Sequence, residues 1–176
     1  MMNVRRAETN DIPKVVEIYN DILDLEEAGV TSVGWIRGIY PTEKTAVEAL
    51  KANELFVMTE DDYLVAAARI NQIQVPEYKY GSWKYNNAAP DQIMVLHTLV
   101  VSPHFSGKGY GSGFVKYYEK YAKDNDCLYL RMDTNEKNIT ARKLYSRLGF
   151  SEVGIVPCNF NGIPNVRFVC LEKKIQ

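Results

Sequence analysis

The chain has 176 residues, 46% of them hydrophobic and 24% charged, which fits one domain, residues 1–176, large enough for a real core. Its 21 Lys and Arg against 22 Asp and Glu leave a formal net charge of −1, so no basic surplus points to nucleic acid and no charge block to an interaction tail. Cys127, Cys158 and Cys170 are scattered and odd in number, and His97 and His104 are the only histidines, so neither a disulfide framework nor a histidine-built metal site is expected.

Met1-Met2-Asn3-Val4-Arg5-Arg6-Ala7-Glu8 has no apolar signal core, and no apolar run reaches the ~18 residues that span a bilayer. A reducing, cytoplasmic setting without a membrane partner is therefore expected. A short strand is read over residues 3–7. Thr9-Asn10-Asp11 supplies N-cap chemistry and Pro13 suits a first turn. Ile12, Val15, Val16, Ile18, Tyr19, Ile22 and Leu23 recur at helical spacing, so a helix is predicted over about 12–27, stopped by Gly29. Asp21, Asp24, Glu26 and Glu27 read as a solvated face, with attraction of a cationic acceptor as the alternative. Residues 30–41 are irregular. Thr42 opens a second helix over about 43–52, although Thr42-x-x-Thr45 is not a full capping box. Residues 55–59 and 63–71 form a strand hairpin around Glu60-Asp61-Asp62.

The 75–90 segment interleaves Tyr78, Tyr80, Trp83 and Tyr85 with Lys79, Gly81 and Lys84. It reads as a long structured loop or an extended strand pair, either an aromatic wall for a ligand or a flap over the sheet. Residues 93–101 are apolar nearly throughout, as in a central strand covered on both faces. Helical spacing follows over about 114–123, a strand over 127–132, a helix or a loop entering one over 135–148, and strands over 150–156 and 166–171. Asn161-Gly162 is a strong hairpin signal. The order β-α-α-β-β-β-α-β-α-β-β is α/β in class with a mixed sheet.

Between the central strand and the third helix lies Ser106-Gly107-Lys108-Gly109-Tyr110-Gly111-Ser112-Gly113. Glycine permits φ > 0 and close backbone approach, and the helix start offers free N–H groups, so the turn is suited to an anion such as phosphate. Neither the P-loop string nor Gly-x-Gly-x-x-Gly fits it. The stretch resembles the acyl-CoA loop of the GCN5-related N-acetyltransferases, Gln/Arg-x-x-Gly-x-Gly/Ala after a strand ending in Val, here Val101. Ser106 stands where that family has Arg or Gln.

A second signature, Asn138-Ile139-Thr140-Ala141-Arg142-Lys143-Leu144-Tyr145-Ser146-Arg147-Leu148-Gly149-Phe150, resembles the family's Asn-x-x-Ala-x-x-Leu-Tyr-x-x-x-Gly-Phe. Asn138, Arg142 and Tyr145, four and seven residues apart, are expected on one helix face. Leu96-His97-Thr98-Leu99-Val100-Val101 is similar to His-x-His-Ala-Leu-Ala-Val of the arylalkylamine branch, with Val95 at the first histidine.

The resemblance implies a mixed, mostly antiparallel sheet of about seven strands with about four helices. It also implies acetyl-CoA as co-substrate, no metal, and direct acetyl transfer to a primary amine of a small molecule. The rivals are a protein N-terminus or lysine as acceptor, and a non-catalytic acyl-CoA-binding regulator. Acetyl-CoA would meet Leu99, Val100, Val101, Ser106, Gly107, Lys108, Gly109, Tyr110, Gly111, Ser112, Asn138 and Arg142. Backbone N–H groups near Leu99 to Val101 would hold the oxyanion, and Tyr145 would protonate the leaving thiolate. His97 is the expected base, since a pKa of about 6.5 suits proton removal at neutral pH, and alternation places it on a face with Leu99 and Val101. Its alternative is a core histidine bonded across the sheet. Asp133 and Glu136 are further proton-handling candidates, His104 reads as surface, and a homodimer through the last strands is plausible.

Overall fold

The apolar stripe of the first helical segment forms α1 (Ile12–Glu27), whose Ile12, Val15, Ile18, Tyr19, Ile22 and Leu23 are all buried. The computed structural model describes residues 2–176. α2 (Glu43–Lys51) starts at Thr42, whose N–H donates to Thr45 Oγ1 at 3.0 Å. A threonine hydroxyl thus does the work of the Glu or Gln that a capping box usually has. Among the described residues the chain builds one seven-stranded sheet and four α-helices, in the order the sequence predicts.

The strands are β1 (Asn3–Arg6), β2 (Leu55–Glu60), β3 (Tyr63–Asn71), β4 (Ile93–Val101), β5 (Tyr129–Asn135), β6 (Ser151–Phe160) and β7 (Ile163–Lys174), arranged β1-β2-β3-β4-β5-β7-β6. Every neighbouring pair is antiparallel except β4 with β5. α3 (Tyr110–Asp124) and α4 (Ile139–Arg147) share one core with Phe56, Met94, Leu96 and Met132, while α1 and α2 cover the opposite face through Val15, Ala46, Val57 and Val100. Tyr118, fully buried in α3, donates its hydroxyl to the Met94 carbonyl at 2.6 Å, which ties α3 to the central strand. Burying such a ring contributes on the order of 1.5–3 kcal/mol.

Three sequence expectations are corrected. β5 begins at Tyr129, not at 127, and runs past 132 to Asn135, which therefore lies on a strand rather than in a helix or its entry. Of the two readings of the 75–90 segment the structured loop holds and the strand pair falls: a 3-10 turn spans Pro76–Tyr80 and no strand lies in it. The third correction concerns β4. Thr98 has φ +52°, and the β3 register shifts between Ala67 and Arg69, which marks a bulge. One extra residue flips the alternation. Leu99 and Val101 pack toward α3 and α4, Val100 packs toward α1 and α2, and His97 pairs across the sheet with Arg69. His97 therefore does not share a face with Leu99 and Val101. At the far end, Asn161 (φ 47°) and Gly162 (φ 89°) make the two-residue turn between β6 and β7.

The parallel ladder ends at Leu96↔Met132. Beyond it β4 stays with β3 as far as Val101, and β5 stays with β7 as far as Asn135. The sheet splits there into a wedge, and the β5-facing polar groups of β4 beyond Leu96 have no ladder partner.

Candidate active site

One end of the wedge is the glycine turn. Gly107 (φ +76°) and Gly109 (φ +84°) hold left-handed backbone, and an added Cβ would meet nothing within 4 Å at either. The turn is thus open to a ligand and closed to side chains only by backbone strain. Gly109 caps α3, and the helix ladder at this end opens with the Gly113 N–H donating to the Gly109 carbonyl at 2.9 Å. The amides of Tyr110, Gly111 and Ser112 precede that step and have no partner within the helix, as the first amides of any helix do. At Gly111 a Cβ would sit 3.2 Å from Leu144 Cδ2, so glycine lets α3 approach α4. Ser106 spends its own amide on the Pro103 carbonyl (3.2 Å), the Tyr110 ring is core, and the Lys108 ammonium lies over the Phe105 ring at 5.3 Å. Among side chains of this stretch, none is aimed out of the turn as an anion partner, so what the turn offers an anion is its backbone amides.

The wedge itself holds a cavity of about 150 Å³ lined by Leu99, Val100, Val101, Asn138, Asp133 and Tyr145, among others. Asn138 is the N-cap of α4 and accepts the Ala141 N–H at 3.2 Å, so it precedes the helix instead of sharing a helical face with Arg142 and Tyr145. Arg142 lines neither large cavity. Its guanidinium binds Glu152 at 2.7 and 2.8 Å and the Glu136 carbonyl at 2.8 Å. The Tyr145 phenol is pushed well up by burial and by the Asp133 charge, so it stays protonated at neutral pH.

A second cavity, about 550 Å³, opens on the other side of β4. Its walls are the connection before α2 (Ile39, Tyr40), α2 itself, residues 75–77, and the β6–β7 turn. Tyr40, Thr98, Asp133 and Phe160 line both cavities and mark the junction. The Tyr40 and Thr98 hydroxyls are hydrogen-bonded, and the Tyr40 ring meets Phe160 edge-on at 4.7 Å. The sequence reading missed Tyr40, Thr98 and Phe160, because they lie in an irregular segment, at a bulge and beside a turn, where no motif marks them.

The two proton-handling candidates differ in environment. Asp133 accepts the Tyr78 hydroxyl at 2.7 Å, and burial outweighs that bond to push its carboxyl up to about 6. It is a carboxylate at pH 7 with a proton affinity near that of a useful base. His97 is pushed down to about 4 by burial and by Arg69. Its Nε2 lies 2.8 Å from Asn71 Oδ1, while Asn71 Nδ2 donates to Glu54 Oε2 (2.9 Å) and Oδ1 accepts the Ile73 N–H. Those bonds fix Oδ1 as acceptor, so Nε2 carries the His97 proton. His97 lines the large cavity as a neutral imidazole in a sheet-crossing network with Arg69 and Glu54.

Elsewhere, Glu26 accepts from Thr31 Oγ1 and from the amides of Val33 and Gly34 at 2.8–2.9 Å, while Asp24 and Glu27 bind Arg37. The acidic cluster thus anchors the loop that crosses the wedge. A Cβ at Gly34 would fall 2.2 Å from Asn135 Nδ2, and φ there is +77°, so both space and backbone favour glycine. His104 is exposed, 3.3 Å from Asp21. Glu136 binds Arg167 at 2.9 Å and lines neither cavity. Among the described residues no group of three His, Cys, Asp or Glu could hold a metal ion, and no helix is long and apolar enough to cross a membrane.

A model of the acetyltransferase (GNAT) family matches residues 16–150. The Bos taurus thialysine N-epsilon-acetyltransferase is 30% identical over 76 residues, 43% of this chain and 41% of that one, so the chain matches less than half the length of this relative. A GNAT-family acetyltransferase from Streptococcus agalactiae superposes with a TM-score of 0.83 at 23% identity, over 99% of this chain and 96% of that one. The Salmonella typhimurium protein yncA, solved with its cofactor acetyl-CoA, superposes with a TM-score of 0.71 at 15% identity, over 100% and 95%. At these identities the two structures bear on the fold.

Proposed function

The chain belongs to the acetyltransferase (GNAT) family, and from that premise we propose that it moves the acetyl group of acetyl-CoA to a primary amine of a small molecule. The observation that carries the proposal is the meeting of two cavities at Asp133, one in the wedge behind the glycine turn and one walled for an acceptor. The amides of Gly107 to Ser112 would hold the pyrophosphate, and Leu99 to Val101 with Asn138 would flank the pantetheine arm. Acetyl-CoA supplies an activated acyl group. That yncA was solved with acetyl-CoA in a similar fold supports the same donor here.

The chain's own residues handle the protons. An ammonium cannot attack a carbonyl, so the amine must first be neutral. The acceptor enters as the neutral amine, its ammonium proton lost to solvent, and the Asp133 carboxylate takes the second nitrogen proton at the junction as the C–N bond forms. The C–S bond then breaks, and the Tyr145 hydroxyl gives its proton to the departing sulfur. His97, neutral and tied to Asn71, orients the acceptor wall rather than carrying the proton. Walls on four sides favour a small acceptor over a protein chain, and the name of the bovine relative, with thialysine, supports a small amine. Free Cys127, Cys158 and Cys170 suit a cytoplasmic setting.

The test is acetyl-CoA-dependent thiol release with thialysine and a panel of small primary amines, beside peptides with a free N-terminus or lysine. Steady turnover on a small amine, lost in Asp133→Asn, supports the proposal. Turnover on peptides alone would assign a protein acceptor, and tight acetyl-CoA binding without turnover on any amine would assign a regulator.

A further inference from the structure

The 75–90 segment is fastened at more points than a cavity wall needs. Only Val75, Pro76 and Glu77 reach the acceptor cavity. Behind them Tyr78, 2% exposed, inserts against the sheet beside Ile93, Val95 and Cys170. Trp83 Nε1 donates to the Tyr78 carbonyl at 2.6 Å, and the Arg131 guanidinium sits 4.1 Å from the Trp83 ring centroid. Arg131, itself buried, donates from Nη2 to the Tyr85 carbonyl at 3.1 Å and from Nη1 to Gln74. Its cross-strand partner Glu172 accepts the Lys84 N–H. Side chains of β5 and β7 thus grip the loop on both flanks of Tyr78. The product of this docking at the site is one bond, from the Tyr78 hydroxyl to Asp133 Oδ2 at 2.7 Å. Among the described residues, no hydrogen bond reaches Oδ1.

We propose that Tyr78, docked by Trp83 and Arg131, is a positioning residue for the base: its hydroxyl fixes Oδ2 of Asp133, favours the carboxylate form and leaves Oδ1 for the acceptor amine. This rests on Asp133 being the base. The loop that walls the acceptor cavity and the group that deprotonates the acceptor are then one unit, so a rearranged loop would alter both acceptor fit and proton affinity.

The other groups facing Asp133 define what its titration reports. Tyr40 comes from the connection before α2, Tyr145 from α4, Cys158 from β6, and Cys170 from β7 as the cross-strand partner. Burial pushes Tyr40 up to about 12, Cys158 to about 11 and Cys170 to about 12, and Tyr145 and Tyr78 also rise, so all stay neutral from pH 5 to 8. Glu77, Arg69 and His97 complete the set across the cavity. Burial does most to raise the Asp133 pKa, the Tyr78 bond opposes it, and Glu77 adds a smaller rise. Removing that hydroxyl must therefore move the carboxyl upward.

The experiment is a 13C-carboxyl NMR titration of the full chain, with the Asp133 signal assigned by its loss in Asp133→Asn. In Tyr78→Phe the midpoint is expected to rise by about one pH unit, the size of one hydrogen bond to a charged group. Trp83→Phe keeps a ring beneath Arg131 but loosens the Tyr78 carbonyl, so a smaller rise is expected. It tests the same point should Tyr78→Phe fail to fold. With an acceptor from the amine panel, the acid limb of kcat/KM should move by the same amount while KM for acetyl-CoA holds. An unchanged midpoint, or a loss equal at every pH, overturns the proposal. Because the NMR titration needs no acceptor, it separates this result from the proposed activity. If Asp133→Asn keeps full turnover, the base assignment fails even where the Tyr78 bond is confirmed.

Discussion

The donor end and the acceptor end of the wedge are built in different ways. The glycine turn is eight consecutive residues, 106–113, whose contribution is backbone: positive φ at Gly107 and Gly109 and the amides that open α3. The junction at Asp133 draws side chains from residues 40, 78, 98, 133, 145 and 160, on six separate segments. A backbone site depends on local conformation, so its parts should tolerate different side chains, Ser106 included. A side-chain site depends on where distant segments meet, so each substitution there acts on the chemistry.

The sharpest way to break that contrast is Asp133→Asn. It should lower kcat by about 10²–10⁴-fold, the usual range for a general base, with KM for acetyl-CoA nearly unchanged in steady-state kinetics. Tyr145→Phe should cost about 10²-fold in kcat, again without a donor-binding effect. Gly109→Asp acts on the other end. A non-glycine residue at φ +84° and a negative charge at the helix start should weaken acetyl-CoA by about tenfold or more in calorimetry, while KM for the amine holds. Comparable loss of both affinities would show that the two ends are not separable.

A smaller effect appears in stability against pH. His97 has a folded pKa of about 4, below its ordinary 6.5, so the stability it carries is lost as pH falls between those values. Asp133 has a folded pKa of about 6, above 3.8, so its contribution is present at low pH and lost as pH rises through that window. The two oppose one another between pH 4 and 6. Urea unfolding of Asp133→Asn should therefore lose about 1.4 kcal/mol more per unit of acidification than wild type across that range. Smallest are the changes at α4. Asn138→Ala should cost about 1 kcal/mol through its cap. Arg142→Ala should cost less than about 1 kcal/mol and leave acetyl-CoA affinity unchanged, because its half-exposed ion pair with Glu152 serves the fold.

Sequence alone determined the elements and the backbone of the glycine turn. The apolar period over 12–27, the strands over 63–71 and 93–101 and the Asn161-Gly162 turn follow from side-chain size and backbone preference within a few residues, and the structure keeps them. The glycine turn belongs to the same class, since φ > 0 is a property of residue type. Tertiary structure decided the rest. The bulge at Thr98 turned His97 away from Leu99 and Val101, and no local pattern announces a single inserted residue in a ladder whose partner lies about thirty positions away. The strand that carries Asp133 extends past its apolar run because β7 pairs it to Asn135. Asp133 took its raised proton affinity from burial and its partner from a loop 55 residues earlier. Local conformation is fixed by neighbours in sequence, whereas desolvation and long-range hydrogen bonds exist only after the chain has closed on itself.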